Sequence, residues 1–171
     1  MKILECIPNF SEGRDRRTLE RIGAAIGAVA GVKLADVHSD PDHHRSVFTF
    51  LGAPEAVVEA ALAAAAVALE RIDMRRHDGV HPCIGAVDVV PFVPLGAVPM
   101  AVAVAAARAF GARLGERHAV PVYFYGAAAM EAGRTELPAI RRGGYRGLPA
   151  RLADPCERPD AGPATFHESC G

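Results

Sequence analysis

The side chains of this chain that can exchange protons near neutral pH lie mostly in two short polar segments. Five of its seven histidines occur there: His38, His43 and His44 in HSDPDHHR (38–45), and His77 and His81 in HDGVHPC (77–83). Imidazole titrates close to neutral pH, so clustered histidines are typical of general acid–base sites. If both segments lie at one end of a sheet, these rings form a titratable cluster with Asp40 and Arg45.

The same histidines also have a structural interpretation. Histidines beside aspartate and proline are frequent in surface turns, where they hydrogen-bond locally, and this interpretation is favoured for any one of them taken singly. The two segments together favour a functional site instead. Around His81, the candidate substrate-binding groups are then His38, His43, His44 and His77.

Metal binding and nucleophilic catalysis are less favoured. His77 and His81 have the spacing that chelates a metal from one face of a helix, but Gly79 and Pro82 disfavour a helix there. No thiol or carboxylate stands at a recognised metal-ligand spacing from them, so we predict no metal site. Cys83 follows His81 by two residues and is predicted to be a buried or bystander thiol.

A third polar segment, PNFSEG (8–13), follows the first expected strand. Its side chains Asn9, Ser11 and Glu12 could hydrogen-bond a substrate there. Turns that lead into a helix favour the same residue types, so a capping role is an equal alternative. We include the three residues among the candidate substrate-binding groups.

Composition narrows the classes of function. The chain has 171 residues, half of them apolar, which suits one folded domain with a sizeable core. Its formal net charge of −1 predicts neither nucleic-acid nor anionic-membrane binding. Four widely spaced cysteines, no signal peptide and no apolar run long enough for a membrane span favour a soluble, cytoplasmic protein.

The elements that would position these residues follow from apolar periodicity and turn signals. Strands are predicted over 2–8, 32–38, 45–52, 86–93 and 120–125, and helices over 15–29, from Pro54 onward and over 98–117. The order β-α-β-β-α-β followed by α-β predicts an α/β (α+β) fold, a ferredoxin-like two-layer sandwich. We expect a mixed sheet with helices on one face, extended by an extra αβ unit. The domain should cover 1–150, followed by a Pro/Gly-rich tail over 151–171.

Several long blocks of the sequence resemble one known family. These blocks are ECIPNFSEG (5–13), HSDPDHHRSVFTFLG (38–52), IDMRRHDGVHPCIGAVDVVPFVP (72–94), VPVYFYG (120–126) and IRRGGYRGL (140–148). In this order they resemble the N-terminal subdomain of glutamate formimidoyltransferase (formiminotransferase). The likeness runs across nearly all of residues 3–160 and is far more specific than any single histidine.

The resemblance implies a folate-dependent one-carbon transfer in histidine catabolism. Members of the family move the formimino group of N-formimino-L-glutamate to N5 of tetrahydrofolate, which is a co-substrate. The family's catalytic histidine matches His81, and its polar turn matches Asp40 and Arg45. Arg45 is then expected to hold a substrate carboxylate, and Asp40 to be the carboxylate that orients His81.

The chain departs from the family pattern around that histidine. Val80 and Cys83 stand where the family has Glu and Arg, and His38 and His44 replace its Asp and Asn. The family's second, C-terminal subdomain, which covers folate, would begin where these residues end, so we expect a homodimer or a separate C-terminal partner. Two alternatives stay open. One is folate-independent acid–base chemistry (addition, cyclisation or hydrolysis at a C–N bond) on another small molecule, and the other is a non-catalytic ligand-binding subunit.

Overall fold

The computed structural model describes residues 2–171. Its strands are β1 (Leu4–Cys6), β2 (Asn9–Phe10), β3 (Val32–Asp40), β4 (Arg45–Gly52), β5 (Val87–Val89) and β6 (Phe92–Pro94). Its helices are α1 (Arg16–Gly27), α2 (Pro54–Arg71), α3 (Met100–His118), α4 (Leu137–Ile140) and α5 (Gly144–Ala153). A 3₁₀ turn over Met74–Arg76 precedes the loop that leads to β5.

Strand β4 lies inside the sheet, and its sequence RSVFTFLG alternates between two faces. Ser46, Phe48 and Phe50 are fully buried on the face that the helices cover. Val47 and Thr49 are half-buried on the opposite face, which we call the open face. β4 pairs with β3 along one edge and with β1 and β2 along the other.

Two of the expected strands are interrupted at prolines. β1 and β2 flank Pro8, and β5 and β6 flank Pro91. Proline has no N–H to donate to a ladder, so pairing breaks where it occurs. β6 pairs with β1, and β5 pairs with β2. The order β5/β6, β1/β2, β4, β3 is that of split β-α-β units, and the predicted ferredoxin-like α+β sandwich is confirmed.

Two details of the sheet differ from the sequence-based expectation. Every strand pair among residues 2–171 is antiparallel, so the sheet is not mixed. The segment 120–125 adds no strand to it. Pro121 has no N–H, and the backbone donors of Val122 and Phe124 bond instead to Ala161 and to the Asp160 carboxylate. The C-terminal segment therefore satisfies the groups that a strand would have offered to the sheet.

The three long helices pack together as one layer. α1 is amphipathic, with Ile22 and Ile26 fully buried. α2 begins at Pro54, where the first helical turn tolerates proline, and its alanine-rich surface packs closely between α1 and α3. Of the helices in residues 2–171, none is both long and apolar enough to cross a membrane.

The last described residues return to the loop that precedes β5. The carbonyl oxygens of Ser169 and Cys170 accept hydrogen bonds from the N–H groups of Met74 (2.8 Å) and Ala86 (2.9 Å). These two bonds hold both ends of the segment 77–85, which carries His81. The C-terminal segment thus helps to position the loop that the sequence marks as chemically important.

Candidate active site

The two histidine-rich segments meet at one end of the sheet. The β3–β4 turn brings His43 and His44, and the loop before β5 brings His77 and His81. The rings of His43 and His81 lie edge to face with centroids 6.4 Å apart. Those of His44 and His77 stack with centroids 4.7 Å apart. The convergence that the sequence pattern predicts takes the form of two imidazole pairs.

Gly79 permits this close approach of the two segments. A Cβ atom at position 79 would collide with the carbonyl oxygen of His43 and would lie 2.6 Å from the Cβ of His44. Glycine has no such atom, so the loop rests directly against the turn. Arg14 reinforces the contact from outside, because its guanidinium bonds Asp78 (2.6 Å) and the carbonyl oxygen of Pro41 (2.7 Å).

His81 is half-buried, and its Nε2 is hydrogen-bonded to Nη1 of Arg45. A guanidinium can only donate, so Nε2 must be the acceptor, and the ring is the neutral tautomer with its proton on Nδ1. Burial lowers the pKa of His81 below its ordinary value, and the cations Arg45 and Arg141 lower it further. At neutral pH this ring is therefore an unprotonated imidazole.

Asp40 holds His43. One carboxylate oxygen lies 2.8 Å from His43 Nδ1, and the other accepts the backbone N–H groups of Asp42 and His43, both at 2.9 Å. These bonds, with the backbone N–H of His43 foremost, hold the pKa of Asp40 below its usual value. Asp40 thus orients His43, whereas the family resemblance implies that it orients His81.

His44 and His77 form a packed pair behind the turn. His44 has left-handed backbone geometry (φ 50°), and its Nδ1 accepts the N–H of Gly13 at 3.1 Å, with Glu12 Oε1 3.4 Å away. Both ring nitrogens of His77 are buried without a hydrogen-bond partner. Burial lowers the pKa of His77, and so does His44 beside it. This pair packs against the turn, and the two ring nitrogens of His77 are buried within it.

Three other residues are predicted from the sequence to bind substrate, and two of them make hydrogen bonds to the backbone. Asn9 Nδ2 donates to the carbonyl oxygen of Ile7 at 3.0 Å. Ser11 is buried and donates its hydroxyl to the carbonyl oxygen of Gly85 at 2.7 Å, which holds the loop of His81. His38 lies opposite Val47 on the edge strand β3, outside the two imidazole pairs that residues 2–171 form.

An ion pair that sequence reasoning missed lies beside His81. The guanidinium of Arg141 bonds the nearly inaccessible carboxylate of Asp88, whose Oδ1 also accepts the N–H of Ile84 at 3.1 Å. Arg141 lowers the pKa of His81 and Asp88 raises it, so the pair partly cancels its own effect on the ring. The block IRRGGYRGL contains Arg141, but nothing in the spacing pointed to a partner in β5.

Asp88 and Ile84 also line an apolar cavity of about 290 Å³. Its walls come from β5, β6, α3 and the segment 120–128. Tyr125 is one of its lining residues, and burial raises the pKa of its phenol to about 12. The candidate site therefore combines a polar end that carries imidazoles with an adjoining apolar cavity that Asp88 also lines.

The sequence raises two other kinds of reactive site, a thiol nucleophile and a metal site. Cys83 is buried, and burial raises the pKa of its thiol, so it is a poor thiolate source, as the sequence predicts. Among residues 2–171, no three His, Cys, Asp or Glu side chains are grouped so that they could hold a metal ion.

Comparison with known proteins gives a consistent family. The model of the formiminotransferase domain, N-terminal subdomain, matches residues 3–171. Formimidoyltransferase-cyclodeaminase of Sus scrofa is 49% identical over 170 residues, which is 99% of this chain and 31% of that protein. Glutamate formimidoyltransferase of Thermoplasma acidophilum is 46% identical over 166 residues, or 96% of this chain and 55% of that protein. The chain thus spans about half or less of the length of these relatives.

Proposed function

This chain belongs to the formiminotransferase family, as its N-terminal subdomain, and from that premise we propose that it supplies the acid–base part of a formimino-transfer site. The donor is N-formimino-L-glutamate, and the acceptor is N5 of tetrahydrofolate. The observation that carries the proposal is His81, a neutral imidazole at the meeting point of the two segments that match the family.

The chemistry requires a group with the properties of His81. An amine attacks the formimino carbon and forms a C–N bond, and the tetrahedral intermediate then breaks its bond to the nitrogen of glutamate. The attacking nitrogen loses a proton, and the departing nitrogen gains one. A neutral imidazole takes up protons and its protonated form releases them near neutral pH, so His81 suits both transfers.

In this proposal Arg45 binds His81 in the free protein and a substrate carboxylate in the complex. In the free protein its guanidinium occupies Nε2 of His81. A substrate carboxylate is a better partner for guanidinium, because the contact is charge-assisted and can be bidentate. Binding of the glutamate moiety would draw Arg45 from the ring, and the ring nitrogen would become available to the reacting nitrogens.

The apolar cavity and the open face support a larger co-substrate. Tetrahydrofolate carries a bicyclic pterin whose pyrimidine ring is flat and has a hydrogen-bonding edge, and the cavity beside the Asp88–Arg141 pair offers apolar walls with Asp88 among its lining residues. The relatives are longer than this chain. We propose that a separate C-terminal partner or a second copy of the chain covers the site.

The test is formation of 5-formiminotetrahydrofolate from formiminoglutamate and tetrahydrofolate by the purified chain, alone and with a candidate C-terminal partner. We expect His81→Gln to lower kcat by about 10²- to 10⁴-fold, the usual contribution of general acid–base catalysis. His118→Gln is the matched control, because His118 ends α3 outside the site. Absence of transfer by the wild type under both conditions would contradict the proposal.

An acceptor other than folate is the second candidate, and one observation favours it. Val80, which adjoins His81, is 74% exposed and carries no charge, where the family pattern has an acid. If formiminoglutamate is consumed with water or another amine and tetrahydrofolate has no effect on the rate, this candidate replaces the first. Binding of formiminoglutamate without any turnover would instead favour a ligand-binding subunit.

A further inference from the structure

His43, which the sequence predicts as a substrate-binding group, lies beside His81. Its ring is the nearest imidazole to His81, and its side chain is half exposed at the same end of the sheet. Unlike the buried nitrogens of His77, its ring is accessible to a ligand. We propose that His43, held by Asp40, is the second proton-transfer group of this site; the proposal rests on the proposed formimino transfer.

The hydrogen bonds of Asp40 define which nitrogen of His43 is free. The carboxylate accepts from Nδ1 at 2.8 Å, so the proton of the neutral ring resides on Nδ1 and the lone pair on Nε2. Asp40 is itself fixed by two backbone N–H groups of the turn. A carboxylate that fixes the tautomer and direction of an imidazole is the arrangement that orients catalytic histidines in triads.

The two rings are spaced to flank one reacting group. With centroids 6.4 Å apart, ring nitrogens turned toward each other would still be about 4 Å apart, longer than a hydrogen bond. A tetrahedral carbon placed beside that gap could present one of its two nitrogens to each ring. The spacing therefore excludes a direct bond between His43 and His81 and leaves room for the reacting group.

Because Arg45 occupies the lone pair of His81 in the free protein, His43 is the ring that can accept the first proton. Arg45 holds Nε2 of His81 in the free protein, whereas Nε2 of His43 is available. His43 accepts the proton that the attacking nitrogen loses as the new C–N bond forms. Once the substrate carboxylate has drawn Arg45 away, Nε2 of His81 takes up a proton from solvent. The protonated ring donates that proton to the departing nitrogen as the old C–N bond breaks and its electron pair stays on that nitrogen. His43 then releases its proton to solvent, and both rings are again neutral.

Three variants and a matched control test this division of labour in the assay described above. We expect His43→Gln to lower kcat by about 10²-fold with little change in KM, because general acid–base groups contribute about this factor. Asp40→Asn should lower kcat by about 10-fold, since it disturbs only the direction and tautomer of His43. Asp42→Asn, an exposed carboxylate in the same turn, should leave kcat unchanged. Free imidazole should restore part of the activity of His43→Ala and none of that of Asp40→Asn.

A measurement without turnover separates this proposal from the proposed function. Long-range ¹H–¹⁵N correlations at about pH 8.5, where imidazoles are neutral, should place the His43 proton on Nδ1 in the wild type. In Asp40→Asn they should show a mixture of the Nδ1-H and Nε2-H tautomers. A wild-type proton on Nε2 would overturn the proposal. So would an active wild type whose His43→Gln variant keeps full kcat while His81→Gln loses it, and the proposed function would then stand. A wild-type protein that does not transfer the formimino group would contradict both the proposed function and the role of His43.

Discussion

At the scale of single residues, the chemistry of this site depends on what surrounds each imidazole. His81 is kept neutral by burial and by two cations, His43 is oriented by a carboxylate, and His77 is enclosed without partners. Three histidines of the same sequence neighbourhood thus have three different environments. Residue type alone predicted that the cluster could exchange protons, and the structure adds the different surroundings of each ring.

Arg45 is expected to control the titration of His81. Replacing it, as in Arg45→Met, removes one of the cations that lower the pKa of His81, so that pKa should rise. Burial, the larger cause, remains, and the value should therefore stay below that of an exposed histidine. The shift of the His81 ring protons with pH measures this directly by NMR. A pKa that falls or stays constant would show that Arg45 does not contact the ring in solution.

His77 should make the protein less stable in mild acid. Its pKa is lower in the folded protein than in the unfolded chain, so below about pH 6.5 the unfolded state binds a proton that the folded state lacks. The free energy of unfolding therefore decreases as the pH falls from that value toward the folded pKa. His77→Phe keeps a ring stacked on His44 and should reduce this loss, as urea unfolding at about pH 7.5 and 5.5 would show. An equal loss in the variant would assign the effect to other groups, His81 among them.

At the scale of elements, the site is built where β3, β4 and the loop before β5 meet. The strand predicted over 45–52 is β4 with the same bounds, because alternating large apolar residues are a strong period-two signal. The breaks at Pro8 and Pro91 are a local effect of proline that a run of apolar residues conceals. The partnership of Asp88 and Arg141 spans 53 residues, and no local pattern reports a contact of that kind.

The close contact between the loop of His81 and the β3–β4 turn predicts that replacing Gly79 destabilises the protein. Gly79→Ala would place a Cβ against the backbone of His43, so one segment must move, at a cost of about 1–3 kcal/mol in the free energy of unfolding. Gly147→Ala is the matched control. No atom lies within 4 Å of its new Cβ, and it stands inside α5, so the free energy of unfolding should rise by up to about 1 kcal/mol. Chemical denaturation of both variants measures the difference, and equal effects would contradict the close approach.

At the scale of the whole molecule, distant parts of the chain join around one loop. Residues 167–171 contact the loop of His81, and the segment 120–128 bounds the cavity behind it. The fold class followed from the order of the elements, but this closure did not, since the residues after about 150 lack apolar periodicity. The family resemblance placed His81 in the site, and the structure adds the residues that hold it there.

Removal of residues 167–171 is expected to loosen the loop of His81. The N–H groups of Met74 and Ala86 would lose their acceptors, and the free energy of unfolding should fall by at least about 1 kcal/mol. Hydrogen exchange should accelerate at these two amides and stay slow at Phe48 in the centre of the sheet. Unchanged protection at Met74 and Ala86 would show that the C-terminal segment is not needed to order the loop.

The return of the C-terminal segment also sets an order of events during synthesis. A chain leaves the ribosome from its N-terminus, so the sheet and its three long helices are available well before Ser169 and Cys170 emerge to accept from Met74 and Ala86. The scaffold can thus form while the histidine loop still lacks two of the hydrogen bonds that fix its ends. The loop takes its final geometry only after these residues have emerged, and a nascent chain halted near residue 160 would have the scaffold without the bonds that Ser169 and Cys170 supply to the histidine loop.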